Sequence, residues 1–213
     1  MAKKQRLDKA IAMQGSLSRS EVKTLIRKGA VTVNGQVVKN AEFGVDFDSD
    51  TVAVQGKELS LSMHIYLMLN KPKGVVSASE DKKLPTVVDL VPKELWRKGL
   101  FPAGRLDKDT TGFVLITDDG EFAHDILSPK KHISKTYHAL VNGTITDEMV
   151  EGFAKGVTIG EDFTLPASLK KISSEEQGDW GEVILKEGMY HQIKRMFGAY
   201  GLKVLELKRV QMG

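Results

Sequence analysis

The sequence predicts an α+β fold in two domains, the larger built on a mixed, largely antiparallel sheet. Three observations lead there. Short apolar, strand-like runs outnumber helical stretches beyond residue 64; helix-cap and hairpin signals crowd the first 55 residues; and the charge is unevenly spread. The 213 residues are 41% hydrophobic and 28% charged, which suits one large or two small globular domains. A net charge of +3 is uninformative as a total. Residues 1–39, however, hold nine basic side chains against Asp8 and Glu21, residues 40–62 hold Lys57 against five acidic ones, and the remainder is balanced. The positive excess is an amino-terminal property.

Leu7, Ala10 and Ile11 suggest a short first helix opening at Arg6. A second begins at Ser18, where Ser18-Arg19-Ser20-Glu21 has capping-box spacing, Val22, Leu25 and Ile26 follow at helical intervals, and Gly29 is the stop. Arg19, Lys23 and Arg27 recur every fourth residue and so stack on one face of it. Val31–Val38 reads as a hairpin around Asn34-Gly35, and Val52-Ala53-Val54 as a further strand. The acidic stretch from Glu42 to Asp50 falls in a return loop, and Gly56–Ser62 is a linker, dividing the chain into domains of residues 1–59 and 60–213.

In the second domain, Ile65–Leu69 is expected as a buried strand, followed by a turn at Pro72 and Gly74. Phe113–Thr117 is a strand, Glu121–Leu127 a helix stopped by Ser128-Pro129, and Lys135–Val141 another strand. Strand-like stretches lie near 157–159, 164–172 and 182–186. Ile193, Met196, Phe197 and Tyr200 mark an amphipathic helix, and Val204–Val210 a last strand.

Whole function classes drop out. The chain has no cysteine, which removes disulfide scaffolds, thiolate metal sites and cysteine nucleophiles. There is no dinucleotide loop, no phosphate loop and no His-Glu-x-x-His, and the five histidines lack metal-ligand spacing, so cofactor-free chemistry is expected. No apolar run reaches the ~20 residues of a membrane span, and Lys3-Lys4 is not followed by a signal-peptide core. A cytoplasmic protein is expected, with Asn142-Gly143-Thr144 a chance match to a glycosylation acceptor.

The segment Gly104-Arg105-Leu106-Asp107, with Lys108-Asp109-Thr110-Thr111-Gly112 leading into an apolar strand, is the most unusual in the chain. It reads either as a tight turn, with Asp and Thr bonding their own backbone, or as a rigid platform for one carboxylate. Asp107 and Asp109 also offer a weak glycosidase-like acid pair.

Two resemblances sharpen this. Arg6-Leu7-Asp8-Lys9, Gly15, Ser18-Arg19, Leu25-Ile26, Gly29, Val31, Val33-Asn34-Gly35 and Val38 together resemble the S4 RNA-binding domain over residues 5 to about 55. The likeness implies RNA binding through Arg6, Arg19, Lys23, Arg27 and Lys28. Asn70-Lys71-Pro72-Lys73-Gly74, Gly104–Gly112, Ser134-Lys135-Thr136-Tyr137 and Gly188–Met196 are in order and spaced as in pseudouridine synthases, closest to the ribosomal small-subunit pseudouridine synthase A family. That family joins the two domain types, and the likeness covers nearly the whole chain. It implies a cofactor-free isomerase converting a uridine of small-subunit (16S) rRNA to pseudouridine, acting as a monomer on an assembling ribosomal particle. Asp107 takes the position of the essential aspartate, Tyr137 of the active-site tyrosine and Lys194 of the aspartate's basic partner, with Arg195 a neighbouring RNA-binding candidate. Arg105 corresponds to the arginine that helps displace the target base. Met189 departs from the pattern, where a second arginine is expected, and an apolar stretch usual in the family is cut off at Gly213.

The reaction needs no redox change. The N1–C1′ bond breaks, the uracil turns, and C5 joins C1′. One ionised carboxylate serves, by attacking C1′ or by removing a sugar proton. A cation at Lys194 keeps it ionised, Tyr137 can stack on the base or simply pack in its strand, and extruding the nucleotide costs a few kcal/mol. Lys130, Lys131, Lys135, Lys203, Lys208 and Arg209 are candidates for further phosphate contacts. Competing expectations are a large-subunit (23S) rRNA synthase of the same architecture, a non-catalytic S4-type RNA-binding protein, and a nucleoside hydrolase.

Overall fold

A computed structural model describes residues 4–15 and 17–213; Lys3, one of the nine amino-terminal cations, lies outside the described residues. The chain forms two compact units. One comprises the chain up to Tyr66 together with Leu90–Leu100, the other Leu67–Asp89 with Phe101–Gly213.

In the first unit, β1 (Gln5–Arg6) runs directly into α1 (Leu7–Met13), and α2 (Arg19–Arg27) follows. The capping box at α2 forms as expected: the Glu21 amide donates to Ser18 Oγ and the Ser18 amide to Glu21 Oε2 at 2.8 Å. Strands β2 (Val31–Val33), β3 (Gln36–Val37), β4 (Gly44–Val45), β5 (Val52–Val54) and β6 (Lys57–Leu59) complete it. The sheet order β3-β2-β5-β6 is antiparallel throughout. Asn34-Gly35 and Gln55-Gly56 both adopt positive φ, making two-residue primed turns. The expected linker at Gly56–Ser62 therefore begins with a strand, because the second turn folds Lys57–Leu59 back onto β5. The acidic return loop likewise contains β4, which pairs with β1. Leu7, Ile11, Val22, Ile26, Val31 and Val52 are among the buried side chains that join helices to sheet.

Leu90–Leu100 is held to this unit by Arg97, whose buried guanidinium donates to Gln14 Oε1 and Ser62 Oγ, each at 2.6 Å. Gly15 passes the same segment at φ +96°, where a Cβ would lie 2.0 Å from the Trp96 carbonyl oxygen.

The second unit contains β7 (Tyr66–Lys71), β8 (Phe101–Ala103), β9 (Thr111–Thr117), α3 (Gly120–Leu127), β10 (Lys135–Val141), α4 (Asp147–Lys155), β11 (Thr158–Ile159), β12 (Asp162–Phe163), β13 (Ser168–Glu175), β14 (Gly178–Leu185), α5 (Gln192–Ala199) and β15 (Val204–Met212). Its main sheet runs β13-β14-β10-β15-β9-β7, with β8 paired to β9. β10 pairs antiparallel with β14 and with β15, β13 with β14 and β8 with β9, while β15 and β9 are parallel, so the mixed, largely antiparallel expectation holds. At that parallel junction Gly112 is needed, since a Cβ there would come within 2.1 Å of the Arg209 carbonyl oxygen. Helices α4 and α5 cover one face of the sheet, packing Met149, Phe153, Met196 and Phe197 against Ala139, Val183 and Leu207.

The strands β8 and β12 were not expected, and two larger details also differ. β7 is not buried but, among the described residues, stands at the edge of the sheet with Met68 82% exposed. Helix α4 was not expected at all, although Thr146 caps it by accepting from the Met149 amide and Gly156 ends it at φ +98°.

Candidate active site

Asp107 sits in the loop between β8 and β9, and two separate clamps set that loop. Ser77 Oγ donates to the Leu106 carbonyl at 3.1 Å and accepts from the Leu106 amide at 3.0 Å. On the other side, the buried Lys71 ammonium donates to the carbonyls of Pro72, Lys108 and Thr110 at 3.1, 3.2 and 2.8 Å. The Gly74 amide adds a bond to Lys108 O at 2.9 Å. A buried ammonium must find acceptors, and here they are the backbone on the far side of the carboxylate. Burial pushes the Lys71 pKa down, opposed by the charges of Asp109 and Asp107.

The carboxylate is met by α5 and the turn before it. Lys194 Nζ lies 3.1 Å from Asp107 Oδ2 and 2.8 and 3.0 Å from the two oxygens of Asp109. His191 Nε2 approaches Asp107 Oδ1 at 3.4 Å. Burial alone would lower the Lys194 pKa, yet its bonds to Asp109 and Asp107 outweigh this and hold it above the ordinary lysine value. The bond from Lys194 in turn holds Asp109 below the usual carboxylate range. Lys194 thus bridges two carboxylates, of which Asp109 is the more exposed.

Asp107, Lys194 and His191 line a cavity of about 640 Å³, which Tyr137, Arg105, Tyr190 and Ser77 also line. Tyr137 stands on β10, half-buried against the core, and Arg105 is exposed. The structure therefore brings together Asp107, Lys194, Tyr137 and Arg105. It turns Arg195 away from them: its guanidinium bonds the Ile159 carbonyl and reaches Asp162 at 3.5 Å, bracing α5 to the β11–β12 hairpin. Arg209, expected to touch phosphate, is instead buried and donates through Nε to Phe113 O at 2.8 Å. Met189 occupies the place of the expected arginine and packs on the core.

In the first unit, the cationic row has an organiser that spacing did not reveal. The side chain of Asp8 is fully buried and accepts from Arg6 at 3.2 Å and from Arg19 at 3.1 and 3.3 Å, with Lys23 Nζ 3.8 Å away. All three cations remain about half exposed, and Arg27 and Lys28 are exposed beyond them.

Sequence reasoning missed Ser77, Lys71 and His191 as parts of this arrangement. The histidines were weighed only for metal-ligand spacing, and among the described residues no group of three or more His, Asp or Glu side chains is placed to hold a metal ion. Asp109 was weighed as half of an acid pair, whereas it is the second anchor of Lys194. Among the described residues no helix is long and apolar enough to cross a membrane.

The geometry of one carboxylate, one bridging lysine and one tyrosine in a cavity meets an independent comparison. The RNA pseudouridylate synthase model matches residues 65–199, and the S4 domain model matches residues 5–52. The chain belongs to the RNA pseudouridine synthase family. It is an isomerase of the class that converts uridine to pseudouridine. An uncharacterized RNA pseudouridine synthase of Bacillus subtilis is 44% identical, covering 98% of this chain and 87% of its own. Ribosomal small subunit pseudouridine synthase A of Escherichia coli is 43% identical over 98% of this chain and 89% of its own. Ribosomal large subunit pseudouridine synthase B of Bacillus subtilis is 39% identical over 96% and 84%. A crystal structure of a pseudouridylate synthase matches with a TM-score of 0.63 at 36% identity, covering 98% of this chain and 88% of that one.

Proposed function

We propose that this synthase isomerises a uridine of small-subunit rRNA, as a cytoplasmic monomer acting on an assembling ribosomal particle, with Asp107 as its catalytic carboxylate. The observation that carries the reading is the 3.1 Å pair of Asp107 and Lys194 in the cavity lined by Tyr137. Lys194 fixes the carboxylate in direction and balances its charge while the N1–C1′ bond breaks. Tyr137 meets the face of the freed uracil as it turns to present C5 to C1′. The C5 hydrogen leaves as a proton once the new bond has formed. Arg105, planar and exposed at the cavity, fills the stack vacated by the extruded nucleotide. The residue 1–59 domain docks the RNA through Arg6, Arg19, Lys23, Arg27 and Lys28, its Asp8 holding three of them in register, while residues 60–213 carry the chemistry.

The choice of subunit is supported by the higher identity to the small-subunit enzyme, 43% against 39% for the large-subunit one. The large-subunit reading is the second, and mapping the modified nucleotide separates them. The test of the catalytic assignment is tritium release from rRNA labelled at uridine C5. Wild type releases it and Asp107→Asn does not; equal release by the variant overturns the assignment.

A further inference from the structure

Tyr190 is 75% exposed, yet its ring is not adrift. It stacks on His191 with ring centroids 3.9 Å apart and planes 19° from parallel. His191 is fixed in turn, with Nε2 3.4 Å from Asp107 Oδ1 and its backbone at φ +49°. The turn that carries both is tied down. Gln192 Oε1 accepts from the Met189 amide at 2.9 Å, Gln192 Nε2 donates to Glu187 at 2.6 Å, and Arg195 Nη1 donates to the Tyr190 carbonyl at 3.4 Å. Tyr190 thus shows one ring face to His191 and leaves the other open, on a set backbone, at the lining of the cavity that holds Asp107.

A large aromatic ring left in water on a rigid support, in a cavity that the cations Arg105 and Lys108 also line, is the arrangement that stacks unpaired bases. The chemistry also creates a need for it. Extruding a uridine strips one stacking partner from the base on each side, and the enzyme must replace what the RNA loses. We propose that the Tyr190–His191 pair is a second base-stacking subsite, distinct from the Tyr137 position, that takes the nucleobase flanking the target uridine. A purine, with its larger π face, fits it better than a pyrimidine. This rests on the reading of Asp107 as the centre of the reaction.

The test uses the full chain with small- and large-subunit rRNA transcripts, both labelled with tritium at uridine C5, so that the choice of subunit does not decide it. Tyr190→Ala raises KM for the RNA it modifies by roughly 5- to 100-fold, the loss expected for one base–aromatic stack, while kcat falls by a smaller factor. Tyr190→Phe, which keeps the ring and loses the hydroxyl, brings KM back to within threefold of wild type. An unchanged KM in Tyr190→Ala, or a Tyr190→Phe as impaired as Ala, overturns the proposal. Retention of both transcripts on filters by Asp107→Asn, with and without Tyr190→Ala, measures the same loss without turnover. If wild type releases no tritium, the reading of the reaction fails, and the filter measurement still decides the stacking subsite.

Discussion

Lys194→Met removes the ammonium and nearly preserves the length of the side chain. The ammonium stands 3.1 Å from Asp107. Two unit charges at that separation attract by about 5 kcal/mol at an effective dielectric of 20 and by about 1 kcal/mol in bulk water. The Asp107 and Lys194 side chains are 30% and 24% exposed, so the effective interaction falls between these limits, about 2–3 kcal/mol. If that attraction acts on the carboxylate in the transition state, kcat/KM for tritium release drops roughly 30- to 150-fold. The pH dependence adds a second check. Lys194 has a raised pKa, so its pairing is complete below the unfolded value near ~10.4 and is lost only as pH rises through the still higher folded value. Asp109 has a lowered one, so its contribution is complete above ~3.9 and is lost as pH falls through the folded value. The ratio of wild-type to Lys194→Met rates therefore stays flat from about pH 5 to 9. Single-turnover release at saturating RNA measures it. A variant within threefold of wild type, or a ratio that collapses inside that window, refutes the reasoning.

Lys71→Met strands the carbonyls of Pro72, Lys108 and Thr110; a cost of about 1–3 kcal/mol lowers the thermal midpoint by several degrees and is read by calorimetry, with an unchanged midpoint counting against the clamp. Asp8→Asn loses about 1–2 kcal/mol at pH 7 in urea unfolding. Burial alone would raise the Asp8 pKa, but bonds from Arg6 and Arg19 hold it below the ordinary value, so the wild-type advantage persists above ~3.9 and closes as pH falls through the folded value. A gap that stays constant on acidification shows that the charge of Asp8 does not hold the cationic face together.

Much of the fold was legible because local chemistry and tertiary structure agree. The Ser18–Glu21 box, the Asn34-Gly35 turn and the strand Lys135–Val141 each carry their signal within a few residues. β6 was not legible, since Lys57-Glu58-Leu59 has no apolar alternation and is a strand only because the turn before it lays it on β5. Helix α4 is a different case. Thr146, the acidic pair Asp147-Glu148, and Met149 and Phe153 four residues apart all stand in the sequence as helix signals, in a stretch to which no element is assigned from the sequence.

The candidate site divides along the same line. Asp107, Tyr137 and Lys194 stand in motifs that a resemblance can align and to which it gives roles, whereas Ser77 stands in no motif, and Lys71 and His191 stand in aligned motifs with no role attached. Ser77 reaches Leu106 across 29 residues, Lys71 reaches Thr110 across 39, and Lys194 reaches Asp107 across 87. No local pattern encodes such pairings, because each partner is a backbone carbonyl or a carboxylate that the sheet brings near. In the sequence, Asn70–Gly74 reads as a turn and as one of the aligned motifs, with no role for its lysine. In three dimensions its buried lysine needs acceptors, the acceptors it finds lie just past Asp107, and so a residue outside the cavity lining determines how rigidly the carboxylate inside it is held.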